Sequence, residues 1–365
     1  MDVAARVPRL RDRLDEAGVE ALLVTRLPNI RYLTGFTGSA AVVLVTPEEV
    51  VFVTDGRYQE QSREQLDAAA VDARIEIAPS SAAQRDVLVP AVAGVARLGL
   101  EAHGVTWAQQ RTYAEWFGAD RAGAVELVPT DGIVEALRRV KEAAEVARIR
   151  AACAIADDAL GELLPTLAQA PTEREFALQL EFAMRRRGAS GNSFDPIIAS
   201  GPNGAKPHAR PTDRPIGRSE LVVIDFGCIV DGYCSDMTRT VSVGDPGPHA
   251  RRVWDVVAAS QRAGRDAVRA GAECVAVDRA SRDVIDAAGW GAAFAHGTGH
   301  GVGLEIHEAP RVAKTASGTL EVGAVVTVEP GVYLPGVGGV RIEDTLVVTV
   351  DGAEALTEFP KDPVV

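Results

Sequence analysis

Glu220–Ser242, ELVVIDFGCIVDGYCSDMTRTVS, is two apolar runs joined by Asp231-Gly232. Asp-Gly between strand-like runs is the strongest short-range signal for a two-residue type I′ hairpin. With Asp231 and Gly232 as the loop, Asp225 pairs with Thr238, and Asp236 lies two residues from Thr238 on the same face. The carboxylates of Asp225 and Asp236 are then diagonal neighbours about 7–8 Å apart at the backbone, able to converge on a cation.

A second acidic pair follows. Glu329 closes a strand expected over Ala324–Val328, and Glu343 lies in one expected over Val340–Val348, where alternation puts Arg341 and Thr345 on the face of Glu343. Between the pairs run His296-Gly297-Thr298-Gly299-His300 and Glu305-Ile306-His307-Glu308, and His208 follows Pro207 upstream. Four clustered carboxylates in a partly desolvated pocket repel one another and protonate unless cations balance them. Two divalent ions supply about +4. Oxygen-rich ligation with a single imidazole suits Mn²⁺ or Co²⁺ better than a thiolate-type zinc site, so neither Cys228 nor Cys234 is needed as a ligand. A pair of ions about 3.5–4 Å apart holds an ionised water near neutral pH and polarises a carbonyl, which is hydrolysis chemistry. The remaining histidines then serve as donors to the developing oxyanion.

Each residue also has a plainer reading. Asp225 and Asp236 alone would pass for solvated hairpin carboxylates, and a lone HxxxH for structural histidines. The interleaved Gly297, Gly299, Gly301 and Gly303 point instead to close backbone approach. His208 would otherwise be a turn residue, and Arg341 a neutralising partner for Glu343 or Asp344. Arg57 and Tyr58 in TDGRY fit a packing role at a helix start, and His103 and His249 lie outside the motifs.

The chain of 365 residues exceeds the size at which one core stops growing, so two domains are expected. Hydrophobic and charged fractions of 47% and 24% are ordinary for a globular protein. A formal charge of −13 repels phosphate backbones and anionic lipid, which disfavours nucleic acid and membrane surfaces as partners. Four scattered cysteines without a CxxC pair fit a reducing cytoplasm. Arg6, Arg9, Arg11 and Arg13 interrupt any export leader, and apolar runs such as Ala40–Val45 are too short to span a bilayer. Helical spacing over Val3–Ala17 and apolar runs at Ala21–Val24, Ala40–Val45 and Val50–Val53 open an α/β domain, expected over residues 1–132. Turn residues Pro129 to Gly132 end it. A long helix is then expected from Val134 towards Leu167, opening a second domain over residues 133–365. Thr172 and Glu175 have capping-box spacing for the next helix.

The segments ASGPNGAKPH, IDFGCIVDGYCSDMTRT, HGTGHGVGLEIHE and VVTVEPGVYLPGVGGVRIEDT together resemble the pita-bread metallopeptidases: Xaa-Pro aminopeptidase, prolidase and methionine aminopeptidase. NIRYLTGFTGS and TDGRY resemble the N-terminal domain of creatinase, prolidase and aminopeptidase P. The resemblance implies a small creatinase-like α/β domain followed by a pita-bread α+β catalytic domain with a curved antiparallel sheet. It also implies that Asp225 is a two-oxygen ligand of one metal, that Asp236 and Glu343 bridge both, and that His300 and Glu329 complete the second. Mn²⁺ is the expected ion, with Co²⁺ or Zn²⁺ as alternatives. Glu329 would shuttle a proton to the leaving nitrogen. His208 and His307 would steady the substrate carbonyl and tetrahedral intermediate, and His296 and Arg341 would shape the proline subsite. The expected activity is release of the first residue from peptides with proline second. Prolidase activity is the near alternative, and a metal-free creatinase-like hydrolase or a non-enzymatic binding protein the remoter ones. A homodimer is implied by the resemblance alone.

Overall fold

The valine- and leucine-rich runs of the first part become strands because β-branched and large apolar side chains pack well on a pleated surface. They are β1 (Ala21–Val24), β2 (Ala41–Val45), β3 (Val50–Thr54), β4 (Arg74–Ile77), β5 (Arg97–Glu101) and β6 (Glu126–Thr130). Their sheet has the order β4-β3-β2-β1-β5-β6, antiparallel at β1–β2 and β2–β3 and parallel elsewhere. Helices α1 (Arg6–Leu14), α2 (Leu27–Thr34), α3 (Gln59–Ala68), α4 (Ser81–Ala91), α5 (Trp107–Phe117) and α6 (Ile133–Arg138) accompany it. The helix between β1 and β2 is an addition to the expected order. Pro28 sits in its first turn and Gly35, at φ 74°, stops it, leaving a segment too short for periodicity to register. In TDGRY, Asp55 accepts from the Arg57 N–H and pairs with its guanidinium, capping a 3₁₀ turn over Gly56–Tyr58.

The computed structural model describes residues 1–118, 125–362 and 364–365. The chain divides into two units, Met1–Arg138 and Arg139–Val365. The long helix expected from Val134 is broken between α6 and α7 (Ala143–Leu163). Val140 instead forms an antiparallel bridge with Ala324, and the Lys141 N–H donates to the Gly323 carbonyl. Glu142 and Glu145 then cap α7 reciprocally. Helix α8 (Glu173–Arg186) begins with the Thr172–Glu175 capping box, as its spacing requires.

The second unit continues with β7 (Gly191–Asn192), β8 (Ile197–Ser200), β9 (Leu221–Phe226), β10 (Cys228–Val230), β11 (Tyr233–Cys234) and β12 (Met237–Ser242). Asp225 lies opposite Thr238 in the antiparallel β9–β12 pair, and Asp231 (φ 47°) and Gly232 (φ 82°) turn the hairpin between β10 and β11. Its arms split at Gly227, where a Cβ would lie 1.9 Å from the Ser235 carbonyl oxygen. After α9 (Gly247–Ala267) and α10 (Cys274–Ala287) come β13 (Gly299–Gly301), β14 (Glu308–Val312), β15 (Val325–Val328), β16 (Gly331–Leu334), β17 (Gly338–Arg341), β18 (Asp344–Thr349) and β19 (Gly352–Ala355). One sheet runs β14-β13-β15-β18-β19 and β16 pairs with β17, antiparallel throughout. The single strand expected over Val340–Val348 is therefore two. At the break the Ile342 N–H donates to Pro330 O and the Glu343 N–H to Thr238 O, so the chain exchanges one strand neighbour for another. Ala156, Leu160, Phe176 and Leu180 of α7 and α8 pack on Ile224, Phe226 and Met237, covering the outer face of the hairpin. Among the described residues no helix is long and apolar enough to cross a membrane.

Candidate metal centre

Strand register delivers the acidic residues. Asp225 is the penultimate residue of β9 and Asp236 precedes β12, while Glu343 occupies the β17–β18 break, where its backbone N–H is held 3.1 Å from Thr238 O. All three are buried. Thr238 Oγ1 donates to Glu343 Oε2 at 2.7 Å, and Thr345 Oγ1 donates to the Asp236 carbonyl at 2.8 Å. Glu343 Oε1 is buried without a hydrogen-bond partner.

His300 reaches the carboxylates because β13 is glycine-built. A Cβ at Gly299 would lie 1.9 Å from Thr327 O, and one at Gly301 2.3 Å from Ala309 O, so any side chain would push β13 away from its two neighbours. His300 Nδ1 lies 3.0 Å from Gly301 O. A carbonyl only accepts, so Nδ1 carries the hydrogen and Nε2 faces the acids, 3.2 Å from Glu329 Oε1 and 3.6 Å from Asp236 Oδ2. Donor atoms of Asp236, His300 and Glu343 all lie within 4.8 Å of one another, the spacing of a metal-binding cluster. Glu329 joins through His300. Asp225 turns an oxygen to the buried Arg341 guanidinium.

Burial, followed by mutual repulsion, pushes the Asp236 and Glu343 carboxyls well above the usual range. Burial likewise raises Asp225, with Arg341 opposing. Burial works against the Glu329 anion too, yet the His300 hydrogen bond and charge hold it down to about 2. His300 shows the converse: burial favours the neutral ring, and Glu329 outweighs it and raises the imidazole. An unpartnered buried carboxylate oxygen beside acids that cannot all ionise is what a divalent cation would relieve. Asp236, His300 and Glu343 fit oxygen-rich ligation of a divalent cation. Burial pushes the Cys228 and Cys234 thiols up to about 11 and about 12, which suits inert core residues and not thiolate ligands.

The other expected site residues divide by exposure. His208 and His307 are exposed, and both lie within electrostatic reach of His296 or His300. The His307 and His300 rings meet edge to face with centroids 4.3 Å apart. His296 has both ring nitrogens occupied, Nδ1 at 2.8 Å from Gly297 O and Nε2 at 2.9 Å from Tyr333 Oη, and burial keeps its ring neutral. Arg341 pairs directly with Asp225 and not with Glu343 or Asp344, although its charge also favours the Glu343 anion, and it donates to Tyr333 Oη, Thr238 Oγ1 and Pro207 O. Asp344 is neutralised by Arg239 and Lys361.

Sequence reasoning passed over Tyr333, whose hydroxyl links His296 to Arg341, because nothing in GVYL distinguishes it from a core tyrosine. It also passed over Asp278 and Arg282, a buried i,i+4 pair on α10. Asp278 accepts from Thr298 N–H and Oγ1 while Arg282 donates to the His296 carbonyl, fixing the backbone ahead of His300. Their i,i+4 spacing among apolar positions of the helix was the available signal.

The family model for metallopeptidase family M24 matches residues 147–350, and that for the creatinase/prolidase N-terminal domain matches residues 6–140. The chain belongs to metallopeptidase family M24. It is 39% identical to the uncharacterized peptidase YqhT of Bacillus subtilis, over 99% of each chain. Among solved structures it is similar to an Xaa-Pro dipeptidase from Bacillus anthracis, at 38% identity and a TM-score of 0.93 over the whole of both chains. It is also similar to an X-Pro aminopeptidase from Thermotoga maritima, at 33% identity and a TM-score of 0.85 over 99% of this chain and 100% of that one. The two units are thus a creatinase-type N-terminal domain and a pita-bread catalytic domain.

Proposed function

We propose that this chain is an Xaa-Pro peptidase that hydrolyses the bond in front of a proline at the second position of a peptide. Two divalent cations, Mn²⁺ by preference, would be held by Asp225, Asp236, His300, Glu329 and Glu343. The observation that carries the reading is the buried Asp236–His300–Glu343 cluster with its unpartnered carboxylate oxygen, in an M24 chain similar to an Xaa-Pro dipeptidase and an X-Pro aminopeptidase. Such an ion pair, when bound, supplies Lewis-acid polarisation of the scissile carbonyl and a water that ionises near neutral pH.

The chain's own residues do the rest. Glu329 accepts a proton at its carboxylate and passes it to the proline nitrogen as the bond breaks. His208 and His307 present N–H donors to the substrate carbonyl and to the oxyanion formed on it. His296 offers the neutral face of a ring fixed at both nitrogens, a wall suited to the pyrrolidine, and Arg341 with Tyr333 holds Asp225 in place. We place the enzyme in the cytoplasm and expect it to act as a homodimer.

These two relatives point to different substrate lengths. The similarity to the Bacillus anthracis dipeptidase supports a dipeptide substrate, and the similarity to the Thermotoga maritima aminopeptidase supports longer peptides. Metal-stripped protein reloaded with Mn²⁺ and assayed on an Xaa-Pro dipeptide and an Xaa-Pro-Yaa peptide separates them. Turnover of the dipeptide alone establishes a dipeptidase, and turnover of the longer peptide an aminopeptidase. Inertness towards both with the metal bound removes the prolyl reading.

A further inference from the structure

The loop from Gly201 to Pro211 carries His208 at an exposed turn, and an exposed histidine on a glycine- and proline-rich loop has no rigidity of its own. Its two ends are tied to one carboxylate. Glu173, the first residue of α8 and fully buried, accepts at Oε1 from Ser200 N (2.7 Å) and Ser200 Oγ (2.8 Å) on one side of the loop. At Oε2 it accepts from Thr212 N (3.0 Å) and Thr212 Oγ1 (2.6 Å) on the other. Asn203 Nδ2 adds a contact of 3.1 Å to each oxygen. The first N–H groups of α8 answer in kind, Glu173 N donating to Arg214 O and Arg174 N to Thr212 O. Arg214 closes the base, its guanidinium on Ser200 Oγ at 2.6 Å and on Glu220. The body of the loop lies on β17 with almost no clearance: a Cβ at Gly339 would sit 2.0 Å from Gly204 O. There Arg341 donates to Pro207 O at 3.2 Å, directly before His208.

We propose that Glu173 is a positioning residue: its carboxylate clasps both ends of the loop and so fixes His208 relative to the metal-binding face. A carboxylate is required because only an all-acceptor group can take four N–H and O–H donors from two directions while a fifth spans both oxygens. A glutamine would turn an NH₂ against the Thr212 N–H and release that end of the loop. The assignment rests on the peptidase reading and on the role of His208 in it.

Glu173→Gln in the metal-loaded enzyme is expected to lower kcat on an Xaa-Pro substrate by about 10- to 100-fold, the cost of misplacing a catalytic group by about an ångström, with KM moving less. In a His208→Ala background the same substitution should change kcat by less than about twofold, since the group it positions is gone. Hydrogen exchange of the Ser200 and Thr212 amides should quicken in Glu173→Gln while exchange in α7 and α10 stays as in wild type. Should Glu173→Gln not fold, Thr212→Val removes one clasp bond and is read in the same way with a smaller effect. An equal loss of kcat in both backgrounds, or unchanged exchange at Ser200 and Thr212, overturns the proposal. If the wild-type enzyme leaves Xaa-Pro substrates untouched, the peptidase reading fails by itself, and the exchange measurement still decides whether Glu173 clasps the loop.

Discussion

Glu343 and Asp236 bind protons more tightly in the fold than in an unfolded chain, because burial and neighbouring acids penalise their anions. A carboxyl with a raised folded pKa contributes stability that is full below its unfolded value near 4.5 or 3.8 and is lost as pH rises towards its folded value. Metal-stripped protein is therefore expected to lose stability as pH rises from about 4 upward, and Mn²⁺ should restore more stability the higher the pH. Thermal denaturation with and without the ion across pH 5–8 reads this directly, and a metal-induced shift that shrinks with rising pH would contradict it. Glu329 differs in being held ionised by His300, so Glu329→Gln should retain at least one metal while losing turnover by about a thousandfold or more. Metal analysis beside kcat checks this, and near-normal turnover in metal-replete Glu329→Gln would remove the proton shuttle. The acids were legible as candidates because two acidic pairs and His300 occur together in ordered motifs, whereas either pair alone would pass for solvated carboxylates. Tyr333 and Glu173 were not, since a tyrosine in a strand and a glutamate in a helix's first turn are what ordinary packing and capping also select.

The hairpin register could be read from Asp231-Gly232 because a two-residue turn with positive φ at both positions leaves one pairing, and that pairing holds as far as Asp225–Thr238. The helix expected to run on from Val134 was illegible for the opposite reason. Lys141 is a good helix former and Val140 a tolerated one, and tertiary partners distant in sequence, Ala324 and Glu308, pull them out. Lys141 Nζ meets Glu308 Oε1 at 2.7 Å with the two side chains 1% and 6% exposed, next in sequence to His307. Removing the lysine deprives a buried carboxylate of this cation. Lys141→Met should cost about 3–5 kcal/mol, and Lys141→Met/Glu308→Leu should recover much of it. Urea denaturation of the metal-loaded proteins tests the pair; a single substitution within about 0.5 kcal/mol of wild type would show the ion pair to be dispensable.

Across the whole molecule, similarity over the full length of both chains to the two solved relatives extends to the N-terminal unit as well as the catalytic one. Composition and charge narrowed the partners and left the reaction open; a reaction became proposable only where ordered motifs put five candidate ligands in two strand pairs and a glycine-built strand. In the proposed reading, specificity for proline is the step furthest from any single residue, since it would depend on the joint shape of His296, Tyr333 and Arg341 around the metal-binding face. The most direct measurement compares kcat/KM of the Mn²⁺-loaded enzyme on Ala-Pro and Ala-Ala peptides of equal length, with bound metal counted in the same preparation. The account predicts about two ions per chain and a preference for the proline substrate of at least a hundredfold, lost when the metal is stripped. Equal turnover of both peptides, or undiminished turnover after complete metal removal, would contradict it.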